Sequence, residues 1–268
     1  MSAAQLEFVD IHCHLVSGID DGAKSPEESL AMARLAVREG ISQIVATPHQ
    51  LGNYSCNTGA EIRRRVAELQ AWFDAEAIPL KVLPGADVRI EPGLARMLKS
   101  GEVLTLGDHG KHVLLELPHE LYIPLEPLLA QLKTVGIVGI LSHPERNQGI
   151  IARPSVIEGL VDQGCLMQVT TGSLLGTFGP LCQKVAEQLL SKGLVHFLAT
   201  DAHGSRNRRP LMRQAYQRAV ELASEEVAQK VCSTFPAAVA AGKVVPAGRL
   251  EAPKSRAWLP WLNRKRAA

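Results

Sequence analysis

Histidines and acidic residues recur in this chain directly behind short apolar runs. Asp10, His12 and His14 share the run Asp10-Ile11-His12-Cys13-His14, with Asp20-Asp21 close behind. His49 stands in Thr47-Pro48-His49, Asp87 in Gly85-Ala86-Asp87, and Glu116 closes Val113-Leu114-Leu115-Glu116. His143 lies in Ser142-His143-Pro144-Glu145-Arg146, and Asp201-Ala202-His203 repeats the two-residue spacing of the first run. Side chains two apart on a strand face the same side, so His12 and His14 can share an ion. Each piece alone has a bland reading: a packed histidine, a loop histidine at His49, a turn at Asp20-Asp21-Gly22. Jointly they read as a metal centre. Gathered on one face without cations, such charges would repel and resist desolvation. Mixed imidazole and carboxylate donors suit zinc, manganese or iron better than calcium or magnesium. About nine donors are too many for one ion and enough for two or three. Centres of that kind activate water and clamp a displaced oxygen, most often on phosphate.

Something must bring these residues to one face. Short, continuously apolar runs near Phe8–Ile11, Gln43–Ala46, Lys81–Leu83, Val113–Leu115, Val138–Leu141, Leu166–Val169 and His196–Ala199 read as buried parallel strands. Helices alternate with them. Ser25-Pro26-Glu27-Glu28 and Thr58-Gly59-Ala60-Glu61 are capping boxes, and Gly40 ends the first helix. Pro154 and Pro180 start later helices, which Gly164 and Gly193 follow. Seven βα repeats predict an α/β chain folded as one distorted, TIM-like (β/α)7 barrel. A doubly wound open sheet is the rival, weakened because no GxGxxG follows the first strand. In a barrel every candidate residue above sits at a strand's C-terminal end, where barrel active sites are built. The sixth strand, ending in Thr170-Thr171-Gly172, offers hydroxyls instead.

The motifs Asp10–Leu15 and Ile19–Ser29, then Ala46–His49, Gly85–Asp87, Leu115–Pro118, Ser142–Arg146 and Thr200–His203, fall in a known order. With them residues 8–245 resemble the PHP (polymerase and histidinol phosphatase) family. More narrowly they resemble its bacterial manganese-dependent protein-tyrosine phosphatases, linked to capsule and exopolysaccharide synthesis. The resemblance implies a trinuclear metal centre held by His12, His14, Asp21, His49, Asp87, Glu116, His143, Asp201 and His203. It implies that Arg146 and Arg208 hold the substrate phosphate, with Arg206 and Arg209 as adjacent rivals of Arg208. Aspartate at position 87 departs from the glutamate of the relatives; it is one methylene shorter, which bears on metal spacing. The implied substrate is a phosphotyrosine protein, the tyrosine-rich tail of a bacterial tyrosine kinase. The alternatives are a small-molecule phosphomonoesterase of histidinol-phosphatase type and a non-catalytic regulatory module; the full ligand set speaks against the latter.

Composition narrows the classes further. The chain has 268 residues, 46% hydrophobic and 21% charged, with a formal net charge of +2. That is ordinary globular composition, with no run approaching a membrane span and no visible secretory signal. Five cysteines without a CxxC argue for a reducing, cytoplasmic setting. None of them begins a Cys-x5-Arg loop, so a cysteine-based phosphatase is excluded. Positive charge concentrates in residues 243–268, where seven Lys and Arg face Glu251 alone, leaving the body mildly acidic. A nucleic-acid binder would carry a basic face instead. The expected division is a barrel over 1–245 and a basic Pro/Trp-containing tail over 246–268. Its Trp258 and Trp261 beside Arg264-Lys265-Arg266 suit peripheral contact with a membrane, against the simpler reading of a solubilising end.

Overall fold

A computed structural model describes residues 7–250. The nine strands are β1 (Phe8–Cys13), β2 (Ile41–Ala46), β3 (His49–Gln50), β4 (Lys81–Pro84), β5 (Asp87–Arg89), β6 (His112–Glu116), β7 (Val138–Ser142), β8 (Leu166–Thr170) and β9 (Phe197–Ala199). Every strand pair is parallel. Seven of the nine coincide with the runs read from sequence. β3 and β5 are short continuations of β2 and β4.

The wall divides into two sheets, of order β1-β2-β4 and β3-β5-β6-β7-β8-β9. This differs from one closed sheet, and two interruptions explain it. Thr47-Pro48 separates β2 from β3, and Gly85-Ala86 separates β4 from β5. Pro48 has no N–H for a ladder. Gly85 is pressed so closely that an added Cβ would sit 2.6 Å from Val45 Cγ1. Beyond these breaks the chain enters the second sheet, with His49 in register with Asp87. At the other edge one parallel bridge joins Cys13 to Ala202. His14 N–H donates to Ala202 O at 2.9 Å and Asp201 N–H to His12 O at 2.7 Å. These bonds set β1 against the chain leaving β9.

The helices begin where the capping residues predict. Ser25 Oγ accepts from Glu28 N–H at 3.3 Å ahead of helix Pro26–Glu39, which ends at Gly40 with φ 89°. Thr58 Oγ1 accepts from Glu61 N–H at 3.2 Å ahead of Gly59–Ala75. Pro180 opens Pro180–Ser191, whereas Pro154 lies two residues before Val156–Asp162. One apolar cluster lies inside the wall, with Val9, Ile11, Val45, Leu114, Ile140, Leu166 and Phe197 meeting Phe235 and Val239. A larger one fills the space between strands and outer helices. Fully burying such side chains contributes roughly 1.5–3 kcal/mol each, so the strand ends rest on a rigid floor.

The segment 246–250 runs back along the body. His196 Nε2 donates to Gly248 O at 2.8 Å, and Leu250 N–H to Gly193 O at 2.8 Å. The tail expected beyond it, residues 251–268 with both tryptophans, lies outside the described residues. No helix among the described residues is long and apolar enough to cross a membrane.

Candidate metal centre

All nine metal-ligand candidates converge. Their donor atoms form four overlapping groups, each within 4.8 Å: His14, Asp21, His49 and His203; His12, His14 and Asp87; His12, His143 and Asp201; His49, Asp87 and Glu116. The pairing of β1 with β2 shifts between Asp10 and Cys13, where the strand passes from packed interior to site. There the Nε2 atoms of His12 and His14 come within 3.3 Å. His49 belongs to two groups, but a neutral imidazole has one lone pair, so it serves one of them.

Residues behind the imidazoles fix which nitrogen faces inward. His12 Nδ1 donates to Gln168 Oε1 at 2.8 Å, and His14 Nδ1 to Asp20 Oδ2 at 2.8 Å. His203 Nδ1 donates to Asp201 O at 2.9 Å. Each bond holds the proton on Nδ1 and leaves Nε2 as a donor toward the centre, as outer partners of metal-binding histidines do. Asp20 Oδ2 also accepts His49 N–H at 3.0 Å. Asp10 looks away: it accepts His12 N–H at 3.2 Å, Thr200 N–H at 3.0 Å and the Thr200 hydroxyl at 2.5 Å. It therefore ties β1 to the end of β9.

The electrostatics demand positive charge. Asp87 is fully buried, and neither carboxylate oxygen has a hydrogen-bond partner among the described residues. Its Oδ2 lies 3.5 Å from His12 Nε2 and 3.5 Å from His49 Nδ1. Burial opposes its ionisation, yet His12 and His143 hold it well below the usual carboxylate range. Burial likewise opposes a charge on His12, but Asp201 and Asp87 push it up to about 9. His49 also rises to about 9, against burial, through Asp21, Asp87 and Glu116. Glu116 rises to about 7 through burial and the neighbouring Asp87. Inward imidazole nitrogens and the unsatisfied buried carboxylate of Asp87 fit divalent cations: ions would satisfy atoms that the protein leaves bare.

Arg146 and Arg208 border the same cluster. Both guanidinium groups reach Asp201 Oδ2, Arg208 at 2.5 Å. Arg146 stands in the turn after β7. His143, Asp201 and Arg208 all have left-handed backbones, with φ of 34°, 49° and 47°. For residues other than glycine that conformation costs of order 1–3 kcal/mol, and it gathers at functional sites.

Residues 8–241 match the family described as capsular polysaccharide synthesis, CpsB/CapC. The chain belongs to that family. It is 38% identical over 203 residues to the tyrosine-protein phosphatase YwqE of Bacillus subtilis, covering 75% of this chain and 79% of YwqE. It is 28% identical over 215 residues to the tyrosine-protein phosphatase CpsB of Streptococcus pneumoniae, covering 78% and 88%. A crystal structure from work on YwqE and CpsB, described as unique metal-dependent tyrosine phosphatases, superposes with a TM-score of 0.85 at 32% identity over 91% of this chain and 99% of that one. A phosphotriesterase homology protein from Escherichia coli, at 11% identity and a TM-score of 0.52, shares the fold.

In this CpsB/CapC member the structure adds residues that sequence reasoning missed. The Phe178 ring lies 4.3 Å from the Arg146 guanidinium carbon and 5.8 Å from that of Arg208. Gln168 orients His12 from 156 positions away. Tyr54 stacks on His49 with ring centroids 5.2 Å apart. No local pattern marks any of the three. Asp20, which accepts from His14 and from the His49 backbone, is a fourth residue without an assigned role in the sequence reading, and its place next to Asp21 is the one signal for it.

Proposed function

We propose that this chain is a metal-dependent protein-tyrosine phosphatase. In this reading His12, His14, Asp21, His49, Asp87, Glu116, His143, Asp201 and His203 hold two or three divalent ions, manganese foremost and iron or zinc as alternatives. Arg146 and Arg208 receive the phosphate. The observation that carries the reading is the convergence of all nine donors beside two arginines that meet on one carboxylate. Membership of a family whose named relatives are tyrosine-protein phosphatases supports it.

Divalent ions bound there supply a polarised water and a sink for charge on the phosphate oxygens. The chain's own residues do the rest. Gln168, Asp20 and the Asp201 carbonyl keep His12, His14 and His203 aimed inward. Arg146 and Arg208 present forked donors suited to the equatorial oxygens of a phosphoryl group. Phe178 lies against both guanidinium groups and limits their wandering. No cysteine need act as nucleophile: Cys13, Cys165 and Cys232 are buried, and burial raises all three thiols. A phenolate leaves more readily than an alkoxide, so tyrosine phosphate needs no general acid.

The substrate in this reading is a phosphotyrosine protein, specifically a bacterial tyrosine kinase of capsule or exopolysaccharide synthesis. The setting is cytoplasmic, which suits five unpaired cysteines. The test is hydrolysis of a phosphotyrosine peptide and of histidinol phosphate side by side, before and after metal stripping. Expected is turnover of the peptide that vanishes on chelation and returns with manganese. Full activity in metal-free protein would overturn the metal assignment, and preference for histidinol phosphate the substrate class.

A further inference from the structure

Beside the phosphate-binding arginines the surface opens into a cleft of about 340 Å³. Arg206, Arg208 and Arg209 line it with Thr171, Thr177 and Thr200, from the loops after β8 and β9. Arg208 closes on Asp201. Arg206 and Arg209 are exposed and pair with no carboxylate among the described residues. Some exposed arginines elsewhere are paired, Arg63 with Asp108, Arg64 with Glu61 and Glu68, and Arg218 with Glu187 and Glu221. Arg38, Arg96, Arg153 and Arg213 are exposed and pair with no carboxylate among the described residues either, so what sets Arg206 and Arg209 apart is their place beside Arg208 in one cleft. Three guanidinium groups thus line one cleft at an edge of the candidate site, on a body whose overall charge is mildly acidic.

The loop that carries them is held in shape. His203 N–H donates to Arg208 O at 2.9 Å, and Leu211 N–H to Arg209 O at 2.8 Å. Ser205 N–H reaches Glu28 Oε1 at 3.4 Å. The guanidinium forks of Arg206 and Arg209 offer donors for an anion; the Thr200 hydroxyl is already given to Asp10, and Leu175 and Leu211 complete the lining. The same cleft includes Arg208, so an anion bound there lies alongside the phosphate being cleaved.

We propose that this cleft is a second anion subsite, taking an acidic or phosphorylated side chain that flanks the scissile phosphotyrosine. The proposal rests on the phosphotyrosine phosphatase reading above. An extended peptide advances about 3.3 Å per residue, so a neighbour one to three positions away reaches the cleft. A carboxylate and a second phosphate share the chemistry that the cleft offers. The phosphate carries more charge and more acceptor oxygens, so it binds more tightly.

The experiment compares kcat/KM for four peptides around one phosphotyrosine: neutral flanks, glutamate flanks, a second phosphotyrosine, and lysine flanks. Wild-type protein should favour the glutamate peptide over the neutral one by about 5-fold and the doubly phosphorylated one by about 10-fold, mainly through KM. The lysine peptide should be poorest, and raising salt should compress the series. In Arg206→Gln/Arg209→Gln the ratios should fall towards one. In Arg206→Lys/Arg209→Lys most of the glutamate preference should survive. Ratios are taken within each variant, so a general loss of activity or folding cancels. A glutamate preference without a further gain from phosphate identifies a carboxylate site. Equal turnover of all peptides by wild-type protein, or preference intact in the glutamine variant, would overturn the subsite and leave the phosphatase reading standing. No turnover of any phosphotyrosine peptide would overturn both.

Discussion

Arg146 and Arg208 meet on one oxygen of Asp201 and flank one ring, that of Phe178. If both grip the same phosphate, their losses should not multiply. One charge-assisted contact is worth about 1.5–3 kcal/mol, or roughly 10- to 150-fold in kcat/KM for each alanine variant. Independent action would give the double variant the product, about 10²- to 2 × 10⁴-fold. A clamp behaves otherwise: once one arm is gone the phosphate is no longer held in line, and the other arm contributes less. Groups sharing partners in this way couple by about 0.5–3 kcal/mol. The double variant should therefore lose at least about 2-fold less than the product. Arg→Lys keeps the charge and loses the fork, so it should restore part of each loss. Metal content at saturating metal should not change, because in the proposed site neither arginine is a ligand, although both contact the ligand Asp201. The assay is a double-mutant cycle in kcat/KM, with metal stoichiometry and Tm for each variant. Multiplicative losses would refute the shared clamp. Losses that follow metal content or Tm would show instead that Arg146 merely shapes the turn after His143.

Two further outcomes follow from residues behind the site. Gln168→Leu removes the acceptor on His12 Nδ1, and partners of this kind typically contribute 10- to 100-fold in metal affinity; metal titration should show that weakening, and unchanged affinity would refute the orienting role. Burial lowers His196 to about 4, whereas an unfolded histidine titrates near 6.5, so the unfolded chain binds the proton first. Stability should accordingly hold above about pH 6.5 and fall as the pH drops towards 4. His196→Gln can keep the bonds to Met167 N–H and Gly248 O without the proton. Denaturant unfolding at several pH values should show its slope shallower by up to one proton in that window; parallel slopes would refute the assignment.

Most of the convergent donors were legible because a parallel strand ending is a local event and they follow one within a few residues; Asp21, eight residues beyond β1, is singled out from Asp10 and Asp20 only through the family resemblance. Alternation of short apolar runs with capped helices carried the architecture for the same reason. β3 and β5 were not legible: two or three residues cannot show a period, and both follow a breaker. The division into two sheets depends on how closely Gly85 approaches Val45, a tertiary fact. Gln168 and Phe178 act on residues from other loops, so nothing in their own neighbourhoods marks them.

The left-handed backbones at His143, Asp201 and Arg208 were hidden for a different reason. Local preference would place glycine there first, with asparagine and aspartate next. A histidine, an aspartate and an arginine occupy those positions instead, although each is strained by the choice. Glycine would relieve the strain and remove the imidazole, the carboxylate or the guanidinium. A sequence free to optimise stability would make that exchange, and this one has not. Where local rules and observed residues disagree in this way, the disagreement itself points to chemistry. It does so independently of the spacing that first suggested a metal centre, at two proposed ligands, His143 and Asp201, and at Arg208 beside them, while Leu51, Ala77 and Asp108 share the conformation outside the donor set.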